Sequence, residues 1–188
     1  MKYDPLTGIW TEEVAQYRHR TDFALAAAIG TYFEPQESTA DVGCGMGVYC
    51  KILTAYGWRN VWGYEGTRVD KMSDAYPKIY FVDLTLRVEI ARPFACVLCL
   101  EVGEHVPERH EAMFLENLRR MTKGTLILSW AHPGQGGTGH VNEKSEGYVR
   151  AKFEENGLKV DDVATAFLRK RALFRYFRHN VIVMRSEI

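Results

Sequence analysis

The sequence predicts an α/β fold, a doubly wound and mostly parallel sheet of about seven strands with helices on both faces. Three observations carry this. Short apolar runs alternate with stretches of helical periodicity along the chain. The run 95–100 is apolar at every position, as befits a strand covered on both faces. A strand-like segment at 39–42 enters a glycine-rich turn that opens a helical pattern, and strands joined through helices lie parallel.

The elements follow in order. Residues 10–33 read as one helix with Phe23, Ala24, Ala27, Ala28 and Tyr32 as its packing stripe, ended by Pro35. Residues 1–35 thus form a helical cap or lid, in which Trp10 and Tyr17 either fold over a ligand or pack in the core. The strand at 39–42 runs into the turn 43–47, and a helix at 48–55 stops at Gly57. Next come a strand at 61–64, a polar helical segment at 68–75 and a strand at 79–82. The apolar strand 95–100, a helix at 108–121 and a strand at 125–129 follow. The last third holds a helix at 145–156 closing on Gly157, a segment at 160–168 and a final strand at 180–184. No repeat or linker interrupts this pattern, so residues 1–188 read as one domain. The chemistry is expected at the carboxyl ends of the strands.

Composition narrows the function classes. The 188 residues are 46% hydrophobic and 26% charged, with net charge zero, which suits a globular domain and disfavours bulk nucleic acid as partner. The start, Met1-Lys2-Tyr3-Asp4-Pro5, lacks an apolar signal core, and the longest apolar run, 94–100, is too short to span a bilayer. Cys96 and Cys99 spell C-x-x-C, but residues three apart on a strand point to opposite faces and cannot share a metal. They read as small core residues in a reducing, cytoplasmic setting.

The turn Asp41-Val42-Gly43-Cys44-Gly45-Met46-Gly47 sits between strand and helix, where a backbone without Cβ atoms can approach a ligand and a helix N-terminus favours an anionic group. A dinucleotide loop needs G-x-G-x-x-G, and Val48 stands at its third glycine. The observed G-x-G-x-G after an acid resembles motif I of the class I S-adenosylmethionine (SAM) dependent methyltransferases, whose sheet is Rossmann-like. The resemblance covers 39–129. It implies that the loop cradles the methionine part of SAM, that Glu65 binds the ribose hydroxyls and that Asp83 receives the adenine amino group. It assigns Gly66, Leu84, Leu100 and Glu101 to the same cofactor.

The segment 100–107 leaves the fourth predicted strand. If 101–105 forms a helical turn, Glu101, Glu104 and His105 share one face and can bind a divalent cation. This E-x-x-E-H pattern resembles ubiquinone-biosynthesis O-methyltransferases and small-RNA 2′-O-methyltransferases. The resemblance implies magnesium on those three residues, with His140 as a further ligand. Many methyltransferases carry a similar segment without metal. Glu101 then contacts SAM, and His105 or His140 is a candidate general base.

The stretch 131–140, with four glycines and two histidines, reads as a substrate loop in which Trp130, His132 and Gln135 meet the acceptor. The basic, aromatic run 169–179 could bind phosphates or RNA bases, and describes an ordinary solvated face equally well. The expected activity is methylation of a hydroxyl on a small molecule, sugar or glycan. The alternatives are a terminal 2′-O-methyltransferase of RNA and a SAM-binding protein without catalysis.

Overall fold

A computed structural model describes residues 2–186; Met1, Glu187 and Ile188 lie outside the described residues. Helices α1 (Glu12–Arg18) and α2 (Phe23–Tyr32) precede β1 (Thr39–Val42), α3 (Val48–Ala55), β2 (Val61–Glu65) and β3 (Ile79–Phe81). Then come β4 (Phe94–Leu100), α4 (Glu111–Met121), β5 (Thr122–Ser129) and α5 (Glu146–Glu154). The chain ends with β6 (Leu158–Val160), α6 (Asp162–Arg171), α7 (Phe177–Asn180) and β7 (Val181–Ser186).

The seven strands form one sheet in the order β3-β2-β1-β4-β5-β7-β6. Pairing is parallel from β3 to β5, while β7 runs antiparallel to both β5 and β6. Strand alternation divides the core in two. Along β5, Leu126 and Leu128 face α4 and α5, while Ile127 faces the side covered by α2, α3 and α6. Cys96 and Cys99 fall on opposite sides of the sheet, as their spacing requires, and both are buried free thiols. In α4, Phe114, Leu118 and Met121 recur at helical spacing and are buried.

Three expectations are corrected. The helix expected over 10–33 is broken at 19–22, because Asp22 adopts an extended backbone and caps α2, accepting from Leu25 N at 2.9 Å. The expected stripe also shifts: Leu25, Ala26, Ala28, Ile29 and Gly30 are buried, whereas Phe23 is 64% exposed. A helix apolar on nearly every side offers no periodicity from which to choose a face. The segment 68–75 keeps only a 3-10 turn at Val69–Lys71, since Ser73, Asp74 and Pro77 favour turns.

Asp22 does more than cap. Its other carboxylate oxygen accepts from Leu173 N at 2.7 Å and Phe174 N at 2.8 Å, tying the turn between α6 and α7 to the start of α2. The group is fully buried, so its loss would strand three amides. Asp22→Ala is therefore expected to destabilise the protein by about 3 kcal/mol in denaturant titration, more than the roughly 1 kcal/mol of an ordinary cap.

Candidate active site

The sheet order reverses between β1 and β4, and the loops that leave their carboxyl ends border the crevice there. After β1, Gly43 N and Cys44 N donate to the Tyr64 carbonyl at 2.7 and 3.3 Å, which anchors the glycine loop on β2. Gly45 has φ +51°, and its amide donates to Glu65 Oε2 at 2.8 Å, while Thr67 N donates to Oε1 at 2.9 Å. Glu65 thus ends β2 by clamping the loop. Gly43, Gly45, Glu65, Gly66, Leu84 and Glu101 line a cleft of about 630 Å³, within the range of ligand pockets.

The N-terminal segment roofs this cleft. Ile9, Trp10 and His19 line it, and Thr67 Oγ1 donates to the Trp10 carbonyl at 3.0 Å. The His19 ring lies directly on the loop: a Cβ at Gly45 would come within 2.5 Å of it. Burial pulls the His19 pKa down, opposed by the charge of Glu65 and the Gly43 carbonyl. Tyr17, offered with Trp10 as a lid residue, is 74% exposed and lines neither this cleft nor its neighbour.

The remaining expected cofactor residues divide. Asp41, Cys44 and Leu100 line an adjoining cleft of about 1170 Å³. Met46, Gly47 and Asp83 line neither. Asp83 Oδ1 accepts from Thr85 N at 2.8 Å and Thr85 Oγ1 at 2.6 Å, so that oxygen closes a local turn. The Met46 carbonyl accepts from Tyr76 N at 3.0 Å, and Gly47 packs against the Tyr76 side chain.

The second cleft holds the E-x-x-E-H segment, and here a helical turn over 101–105 is corrected. Glu101 has φ +56°, left-handed for a non-glycine residue, and a 3-10 turn begins only at Gly103. The chain bends, so Glu101, Glu104 and His105 do not share one helical face, although all three line this cleft. The Glu101 carboxylate accepts from Ser129 Oγ at 2.9 Å, Asn180 Nδ2 at 2.7 Å and Gln135 Nε2 at 2.6 Å. Burial raises its pKa, and these three donors oppose the rise.

Glu104, His105 and His140 do come together, with one ligand atom of each within 4.8 Å of the others. Glu101 is not part of that group. Glu104 is fully buried, and among the described residues neither carboxylate oxygen completes a hydrogen bond. Burial, then the charge of Glu101, push its pKa well up; the amides of Glu104 and Ala131 favour the charged form only partly. His105 Nδ1 lies 3.2 Å from the Gly139 carbonyl, and His140 Nδ1 lies 2.9 Å from Glu143 Oε1. An acceptor at each Nδ1 assigns the proton there and leaves Nε2 with a lone pair. Burial, then His140, lower the His105 pKa to about 4, so its ring is neutral at physiological pH.

Of the expected substrate residues, Gln135 lines this second cleft. Trp130 does not meet it: the ring is 2% exposed, packs on Phe114 and over Gly103, and donates from Nε1 to the Asn142 carbonyl at 2.6 Å. It is a core residue. His132 lines neither cleft and lies beyond the β5 end, near Glu146, Arg169 and His179. Sequence reasoning missed His19, Tyr176, Asn180 and Glu143. Only Glu143, three residues from His140, left a local signal.

Asp41, at the end of β1, is 3% exposed. Burial raises its pKa to about 7; the Cys50 thiol, donating at 3.6 Å, opposes this and the charge of Glu65 adds to it. The folded state therefore holds a proton between about pH 4 and 7 that the unfolded chain releases, so this contribution falls as pH rises through that window. Relative to Asp41→Asn, the wild type should lose on the order of 4 kcal/mol at most between those limits, read from paired denaturation curves. A parallel pH profile for both proteins would show that Asp41 is ionised throughout.

No family model matches the chain. Sphingolipid C9-methyltransferase A of Emericella nidulans is 25% identical over 99 residues, 47% of this chain and only 19% of that protein. Magnesium protoporphyrin IX methyltransferase (ChlM) of Synechocystis PCC 6803 with bound SAM shares 18% identity over 94% of this chain and 79% of its own, with TM-score 0.60. The CcbJ methyltransferase of Streptomyces caelestis shares 12% identity over 99% of this chain and 100% of its own, with TM-score 0.69. Strand order, antiparallel β7 and the glycine loop after β1 agree with these likenesses, and the chain has the fold of the class I SAM-dependent methyltransferases.

Proposed function

We propose that the protein is a SAM-dependent methyltransferase that methylates a hydroxyl of a small-molecule or sugar acceptor beside a divalent cation held by Glu104, His105 and His140. One observation carries the cation: a fully buried carboxylate that completes no hydrogen bond among the described residues faces two imidazoles whose Nδ1 atoms are already engaged. Imidazole ligands of metals usually donate their other N–H to a carbonyl or carboxylate, and Gly139 and Glu143 supply one of each. A carboxylate with two imidazoles suits manganese, iron or zinc better than the all-oxygen shell preferred by magnesium.

A cradle over Gly45 wide enough for the flat His19 ring supports placing part of SAM on the glycine loop. When bound, SAM supplies a methyl on a positively charged sulfur, already activated for displacement. A bound cation lowers the pKa of a coordinated hydroxyl. The chain then has to align the acceptor and exclude water. Gly43, Gly45, Glu65 and Gly66 would hold the cofactor, and Glu101, shared by both clefts, places a carboxyl group where they meet. Without a cation, the neutral Nε2 of His105 is the group able to take the acceptor proton, a second reading in which burial keeps the ring unprotonated but weakens it as a base.

Residues 2–20 act in this reading as a lid. A ligand cannot lie on Gly45 while His19 remains there, so binding displaces the ring.

Calorimetry tests these assignments. SAM and its demethylated product are expected to bind and NAD is not; NAD binding in their absence would sink the reading. His19→Ala is expected to bind the demethylated product several-fold more tightly, because no ring has to leave, and weaker binding would make His19 a direct cofactor ligand instead. Glu104→Gln and His140→Ala are expected to lose manganese binding and methyl transfer to a panel of sugars and phenols while keeping cofactor affinity. Methyl transfer that survives in both variants would leave His105 as base and remove the cation from the mechanism.

A further inference from the structure

Charge is distributed unevenly in this neutral chain. Residues 163–186 contain no Asp or Glu but carry Arg169, Lys170, Arg171, Arg175, Arg178 and Arg185. Arg169 and Arg185 are spent on Glu146 and Asp161. Lys170, Arg171, Arg175 and Arg178 are exposed and stand in no ion pair among the described residues. Arg20 joins them, with its guanidinium 4.6 Å from the Phe174 ring centre.

Apolar side chains project from the same place. Leu173, at the turn between α6 and α7, is 61% exposed, and Phe23, the first residue of α2, is 64% exposed. Neither belongs to a floppy loop, since Asp22, the neighbour of Phe23, binds the amides of Leu173 and Phe174. This rigid turn continues into Tyr176 and Phe177, which with Arg20 line the second cleft. The cleft therefore opens beside a rim on which fixed apolar tips stand among unpaired cations.

We propose that this rim docks the protein on an anionic lipid bilayer surface, at the mouth of the second cleft. Cations near such a surface are attracted to its negative potential, and apolar tips gain by entering the headgroup region. A bilayer fits better than single-stranded nucleic acid. Binding of bases needs free aromatic faces, whereas Phe174 is covered by Arg20 and packs with Tyr176 and Phe177 at centroid distances of 5.5 and 6.1 Å. The inference stands apart from the proposed chemistry, because docking requires neither SAM nor a metal.

Vesicle sedimentation tests it on the whole protein. The wild type is expected to bind phosphatidylcholine vesicles containing phosphatidylserine, to leave them at high salt and to ignore pure phosphatidylcholine. Lys170→Glu with Arg175→Glu should weaken binding about tenfold or more, and Leu173→Asp should weaken it comparably. All three positions are exposed, so unchanged melting temperatures should accompany the loss. Equal binding to both kinds of vesicle, binding to neither, or variants that bind like the wild type would overturn the proposal. So would binding of a short single-stranded RNA that the same variants lose while vesicles stay unbound.

Discussion

Parallel pairing of β1 with β4, with Thr39 opposite Cys96 and Asp41 opposite Leu98, is the constraint on which the site depends. From these neighbours the chain departs to opposite faces of the sheet, toward α3 on one side and α4 on the other. The crevice between the departing loops is a consequence of that divergence. Register matters as much as topology, because a slip of one residue would exchange the faces of every side chain on the strand. In the observed register the loops also touch each other: a Cβ at Gly43, where φ is +73°, would come within 2.3 Å of Val102. Glycine is required there by contact between two protein loops, whatever else the loop holds.

Buried carboxylates are expensive unless their oxygens are matched, and the two acids that follow β4 resolve this in opposite ways. Glu101 is complete. Ser129 bridges its amide and its carboxylate, and Asn180 and Gln135 supply two further donors. Its strained backbone is held by contacts from β5, from the loop after it and from the end of α7. Glu104 is incomplete. Its main-chain carbonyl accepts from Val141 N and Asn142 N, which pins the His140 loop in place, while its carboxylate, whose charged form the amides of Glu104 and Ala131 favour only partly, completes no hydrogen bond among the described residues. Two imidazoles, His105 and His140, stand beside it with their Nδ1 atoms engaged by the Gly139 carbonyl and Glu143.

Much of the central sheet was legible because its signals are local. An all-apolar run, a glycine turn between strand and helix, and a carboxylate at the end of β2 each follow from a few adjacent residues. The opposite faces of Cys96 and Cys99 needed only strand periodicity. What failed was long-range or conformational. Asp22 breaks the first helix because its carboxylate reaches Leu173 and Phe174, some 150 positions on, which no window could reveal. Glu101 leaves the expected helical face because one residue turns left-handed. Trp130 was placed with the substrate loop for its neighbours, yet Gly103 opens a slot that takes the indole into the core. His19 had no motif at all; it became visible only as the ring that occupies the space above Gly45.

Zero net charge conceals a separation that the fold creates. Asp41, Glu65, Glu101 and Glu104 come from the ends of three adjacent strands and converge on two joined clefts, while Arg20 lines one of them and exposed cations of α6 and α7 flank its lining residues Tyr176 and Phe177 in sequence. Inside, low dielectric strengthens the field of any carboxylate that stays ionised, and such a field favours a positively charged methyl donor or a metal ion over an anionic cofactor. The same field would repel an anionic acceptor from the interior, yet the rim would attract one. Arg20 and Glu104 thus line one cleft with opposite chemistry, a cation and a buried carboxylate.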